Sequence, residues 1–144
     1  MHKRKLTIFE IFIILALMAI VAAILAFPFM REGRVVNSMT SSGYSSRVEG
    51  SSWVTHARSA DGSIWVDVTL DENQLAALRL LSANSAGNII LTLIQNDFGV
   101  AIYASGIAGH LYETAVDASM FAPGRIRLML TFEQAEDVEI IIRW

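Results

Sequence analysis

Acid–base or metal chemistry in this 144-residue chain would have to come from three histidines and their neighbouring carboxylates, because there is no cysteine to serve as nucleophile, disulfide partner or thiolate ligand. His2 sits in a basic leader, while His56 has Asp61 nearby and His110 has Glu113. Neither pair has the i, i+2 or i, i+4 spacing of a recognisable metal site. Gly-x-Ser-x-Gly, HExxH and a phosphate-cradling glycine loop are all missing. The serines crowd a stretch, Ser38 to Ser52, with seven in fifteen residues, where nothing would orient a base. The expectation is a protein without catalytic residues, cofactor or metal.

Binding chemistry is better represented. Trp53, Trp65, Tyr103 and Tyr112 carry flat rings suited to stacking on a sugar, although in a small domain such rings more often fill the core. Trp65 is the exception, because it falls on the face opposite Ile64 and Val66, together with Asp67 and Thr69. Trp65, Asp67 and Thr69 are therefore the candidate binding face. The three glycines between Gly99 and Gly109 read as two hairpin turns.

The elements that would carry this face show a hydrophobic period of two. In Arg125 to Glu133, Ile126, Leu128, Leu130 and Phe132 share one side; Val138, Ile140, Ile142 and Trp144 repeat the pattern, as do Ile64, Val66, Val68 and Leu70. Shorter candidates are Trp53 to Arg58, Asn88 to Gln95, Val100 to Ala104 and His110 to Val116, each bounded by turn residues. Ala122-Pro123-Gly124 is a turn by mechanism, since proline fixes φ at one corner and glycine takes positive φ at the next. Asp71 could cap a helix through Gln74, Leu75, Leu78 and Leu81, but Ala76, Leu78 and Leu80 also alternate, and a strand leaves the meander uninterrupted. The predicted fold class is mainly β: an antiparallel β-sandwich of seven or eight strands over 51–144. A hairpin of the last two strands would set Arg127 against Arg143 and Glu133 against Asp137, an opposition of like charges. Those strands either fan apart or belong to different sheets.

Ahead of this domain, Ile11 to Met30 is a run of twenty uncharged residues, hydrophobic all round and about 30 Å long as a helix, the thickness of a hydrocarbon core. It predicts a transmembrane α-helix over 11–30 behind a basic cytoplasmic leader over 1–10, with a Ser-rich flexible stalk over 31–50. Lys3, Arg4 and Lys5 set the N-terminus inside the cell. Val21-Ala22-Ala23 offers a signal-peptidase site, but the apolar run continues to Met30, which suits an anchor. Residues 35–144 hold six bases and twelve acids, a charge that argues against nucleic acid as a partner. The expected partners are the lipid bilayer and a protein or surface polymer.

Leu6-Thr7-Ile8-Phe9-Glu10, leading into an apolar segment with Ala22-Ala23 and Pro28, resembles the N-terminus of type IV pilins and pseudopilins. The resemblance implies a mature chain beginning at Leu6, with Glu10 as the fifth residue, compensating a neighbouring subunit's amino group in a filament. Lys5 stands where the family's processing peptidase takes glycine, and Thr7 with Glu10 equally fits a helix capping box. At the other end, the Pro123-Gly124 turn, the alternating strand after it and the final strand ending in Trp144 resemble the small bacterial surface β-sandwich modules of the pre-peptidase C-terminal type. That likeness implies a module that binds or spaces. The expected function is a single-pass membrane protein displaying a non-catalytic binding or accessory β-sandwich at the bacterial cell surface, with the pilin-like filament subunit as the alternative.

Overall fold

The computed structural model describes Met18, 33–104 and 110–144. The chain divides after Arg31 into two units, and the second, Glu32–Trp144, carries the fold described below. Among the described residues no helix is long and apolar enough to cross a membrane. The helix expected over 11–30 lies outside them except for Met18, which is helical and exposed.

Glu32–Trp144 is mainly antiparallel β. In chain order it runs β1 Val36–Ser42, β2 Ser45–Glu49, β3 Ser52–Leu70, the short helix α1 Glu72–Ala77, β4 Arg79–Ala83, β5 Ala86–Gln95, β6 Phe98–Ala104, β7 Tyr112–Ala115 and β8 Gly124–Arg143. The two longest strands, β3 and β8, pair along almost their whole length, from Ser52 opposite Arg143 to Leu70 opposite Gly124. On its other side β3 holds β2 over Ser52–His56 and β1 over Ser59–Trp65. The free side of β8 holds β5 over Arg127–Glu136 and β4 over Glu139–Arg143, and these pair in turn with β6 and β7.

One face of this sheet is buried. Ile64, Val66, Val68 and Leu70 of β3 meet Leu130, Leu128 and Ile126 of β8 and Leu91 and Leu93 of β5, all at most 4% exposed. Toward the other end, Trp53 and Thr55 of β3, Ile140 and Ile142 of β8 and Leu80 of β4 have no exposure at all. The switch between these halves is local. Inward residues step by three from Ala57 to Ala60, and on β8 from Val138 to Ala135 to Phe132, with the β3–β8 register shifting between Ala60 and Gly62. Gln134 (φ 51°), Asp137 (φ 48°) and Gly62 (φ 113°) take the left-handed backbone that these steps require.

Five sequence expectations change. The last two predicted strands are consecutive parts of β8 and do not pair with each other, so Arg127 faces Asp67, Arg143 faces Ser52 and Arg79, and Glu133 faces Asn88, whose amide donates to it at 3.0 Å. Trp53–Arg58 and Ser63–Leu70 likewise fuse into β3. The stretch expected as a stalk over 31–50 is paired sheet from Val36 to Glu49. Two of its hydroxyls bond across strands, Ser42 with Ser59 at 2.7 Å and Ser46 with Thr55 at 2.8 Å, while Met39, Tyr44 and Val48 pack against the core. Lastly, the strand preferred for 75–81 is a helix through Ala77. Asp71 accepts from Gln74 N at 2.8 Å and Gln74 Oε1 accepts from Asp71 N at 2.9 Å, a reciprocal capping box that closes the first turn before β4 begins at Arg79. Gly99, expected in a turn, lies within β6.

Candidate functional site

Alternation along β3 puts Trp65, Asp67 and Thr69 on the outward face, because Ile64, Val66, Val68 and Leu70 take the inward one. The register then decides their partners: Trp65 faces Met129, Asp67 faces Arg127, and Thr69 faces Arg125. Directly opposed and diagonal positions are within reach of long side chains. Arg127 closes on Asp67 as a fork, Nε to Oδ1 at 2.8 Å and Nη2 to Oδ2 at 3.1 Å, and Arg125 Nη2 donates to Oδ2 at 2.9 Å. Behind it, the Arg127 guanidinium lies 5.6 Å from the centre of the Trp65 ring, within cation–π range.

The Asp67 side chain is only 12% exposed, whereas those of Arg127 and Arg125 remain 45% and 47% exposed. The hydrogen bonds from Arg127 hold the Asp67 carboxyl below its ordinary range against the opposing effect of partial burial, and Arg125 adds to this. In return Asp67 pushes the Arg127 guanidinium up. One carboxylate thus orients two guanidiniums and leaves most of their N–H donors directed elsewhere. Ile94 and Asn96 join Asp67, Arg125 and Arg127 around an open recess of about 320 Å3. The cluster carries one net positive charge and lies beside an aromatic ring. Such an arrangement can receive a planar anionic group or a ring face.

The remaining sequence candidates are dispersed. Trp53 is fully buried and donates through Nε1 to Ser46 Oγ at 2.8 Å, which makes it core. Tyr103, 72% exposed, shares the outward face with Trp65 but stands three strands away on β6. Tyr112 packs edge-on against His110 at 5.1 Å. His56 is exposed with Glu139 opposite, and Asp61 accepts instead from Gln134 N at 3.2 Å. Among the described residues no three His, Asp or Glu side chains converge as a metal site. Leu6 and Glu10, the pilin-like positions, lie outside the described residues.

Arg125 and Arg127 were not singled out from the sequence. Both stand on the polar side of an alternating strand, and the signal that would have found them is charge complementarity between 63–70 and 125–133, which places Asp67 against Arg127. A second hollow, about 490 Å3, lies between α1 and the loop before β8, with Leu75, Val116 and Phe121 among its apolar lining and Glu72 and Asp117 among its polar lining. The Asp117 carboxyl is held below its ordinary range by hydrogen bonding to Ser119. No family model matches the chain, and no curated protein matches it in sequence.

Proposed function

We propose that the chain is a single-pass membrane protein, N-terminus inside, that holds a small β-sandwich outside the cell and acts without catalysis, as a binding or accessory subunit for a protein or surface polymer. Its contact face is the outward side of β3 and β8 around Trp65, Asp67, Thr69, Arg125 and Arg127. The observation that carries the binding reading is the Asp67 clamp. A large aromatic outside the core, with two half-exposed guanidiniums fixed beside it, is the side-chain chemistry enriched where proteins make contacts.

Two features support folding of the sheet into two layers. Residues at both ends of β3 and β8 belong to one core and are almost wholly shielded, and α1, six residues long, is too short to cover either half. Each half therefore has the other as its natural cover, at the usual separation of about 10 Å. The membrane anchor is supported by the uncharged run from Ile11 to Met30 and by the basic residues before it.

Intact-mass analysis of the mature chain, combined with protease added to intact cells, tests the reading. An unprocessed N-terminus with external cleavage between Glu32 and Trp144 is expected. A new N-terminus at Leu6 would replace the anchor by the filament subunit, and one at Ile24 would make the domain a secreted protein. For the contact face, a photo-crosslinking residue at exposed Thr69 should form an adduct in cells that Arg127→Ala abolishes; equal labelling with and without Arg127 would remove the face from the proposal.

A further inference from the structure

The edge of the sheet at β6 is unlike the other edges. Among the described residues β6 pairs only with β5. Its sequence, Phe-Gly-Val-Ala-Ile-Tyr-Ala, has seven residues with neither a charge nor a proline. Edge strands are normally blunted by charge, brevity or polar side chains, because their outer backbone groups invite another strand. The other edges follow that rule: β2 carries Arg47 and Glu49, β7 is four residues long and carries Glu113, and β1 is mostly serine, threonine and asparagine.

Backbone direction follows from the hairpin. Gln95 opposite Phe98 closes a two-residue loop, Asn96-Asp97, with Asn96 at φ 56°. The pair that closes such a loop is hydrogen-bonded, so Phe98, Val100, Ile102 and Ala104 turn their N–H and C=O groups toward β5, and Gly99, Ala101 and Tyr103 turn theirs outward.

We infer that β6 is a self-complementary edge that pairs antiparallel with β6 of a second copy of this chain, about a two-fold axis at Ala101. In that register Ala101 faces its own counterpart, Val100 faces Ile102, Gly99 faces Tyr103 and Phe98 faces Ala104. Val100, Ile102 and Ala104 already pack against the core but are incompletely covered, and the second strand extends that cover on the same side. On the outward side the Tyr103 ring, 72% exposed, comes to rest over Gly99, which has no side chain to displace it. No charge lies in the paired segment, so two copies whose residues 35–144 each hold twelve acids against six bases meet without opposing like charges there. The interface is isologous and closes at two copies. It spans one strand, which places it in the small, weak class below about 1,200 Å2.

The absence of native cysteine makes the test direct, since Ala101→Cys introduces the sole thiol. The full-length chain in detergent micelles, treated with a short bismaleimide, should give crosslinked dimer from Ala101→Cys and little from Ser51→Cys, in the turn between β2 and β3. Adding Gly99→Pro removes one outward N–H without touching the bonds to β5, and should lower dimer formation by roughly tenfold, equivalent to about 1.4 kcal/mol. Should that variant fail to fold by circular dichroism, Tyr103→Asp replaces it, with the same loss expected from an exposed position. Equal crosslinking at Ala101→Cys and Ser51→Cys overturns the inference, as does undiminished dimer in whichever edge variant keeps its fold.

Discussion

Ser46→Ala is the most direct probe of whether 36–49 is structural. Ser46 lies on β2 opposite Thr55, and its hydroxyl accepts from Trp53 Nε1 at 2.8 Å while sharing a 2.8 Å hydrogen bond with Thr55 Oγ1. Trp53 and Thr55 have no exposure, so neither can exchange the serine for water. A buried donor left unsatisfied costs about 1–3 kcal/mol, and stranding the Thr55 hydroxyl adds to it. The expected total is about 2 kcal/mol, or a fall in Tm of about 8 °C for a unit of this size. Urea unfolding of the full-length chain, followed by tryptophan fluorescence, measures it. Trp53→Phe supplies the control, because it deletes the donor: on that background Ser46→Ala should cost at least about 1 kcal/mol less than alone. A loss below about 0.3 kcal/mol, or strict additivity of the two changes, would refute the account and return β2 to the status of a tether.

Gly87→Ala should be severe, because its φ is +75° and a Cβ would stand 2.3 Å from the Gln134 carbonyl oxygen and 2.5 Å from that of Glu133. About 3 kcal/mol or more is expected, against about 1 kcal/mol for Gly50→Ala, where φ is +55° but nothing lies within 4 Å; equal urea midpoints for the two would contradict the packing at β8. Asp67→Asn should cost about 1 kcal/mol at neutral pH. Because the folded carboxyl is held below its unfolded value of 3.8, its contribution is complete above that value and fades as pH falls through the depressed folded one. The stability gap between wild type and Asp67→Asn should therefore shrink in acid, and a gap that widened would reverse the assigned sign. Asp71→Ala, which removes the cap of α1, should lower stability by about 1 kcal/mol, with Gln74→Ala adding little on that background.

The strands with strict alternation were legible because one face meets the core and the other meets water, as in Ile126 to Phe132 and Ile64 to Leu70. What alternation could not show was that strands continue through apparent breaks. Gln134-Ala135-Glu136-Asp137 has the composition of a loop, yet Ala135 is buried and two positive φ angles carry β8 across it. Serine misled for a related reason: composition treats its hydroxyl as solvated, whereas opposite another hydroxyl on an adjacent strand it is satisfied within the sheet. At the site, Trp65, Asp67 and Thr69 were legible as a face. Arg125 and Arg127 were not, since they lie 58 and 60 residues from Asp67 and only the β3–β8 register joins them.

The small residues at the centre of β3 and β8 bear on the proposed layers. Apart from Thr55, inward positions along these strands are elsewhere Ile, Leu, Val, Phe or Trp, but where the inward step changes they become Ala57, Ala60, Gly62 and Ala135. The inside of a bend brings neighbouring side chains together, so bulk there would force the halves apart, while alanine and glycine leave room for them to approach. Gly62 is closely covered there, since a Cβ would meet the Met39 backbone at 2.9 Å. Met39 is the β1 partner of Gly62, so the segment expected as a stalk lies against β3 where its register with β8 shifts. A fragment beginning at Ser51 would thus lose the β1 backbone beside Gly62 as well as the acceptor for Trp53. Alternation along β3 and β8 places the Asp67 clamp on the face opposite the buried one, where two guanidiniums stay half-exposed while the Asp67 side chain is largely covered.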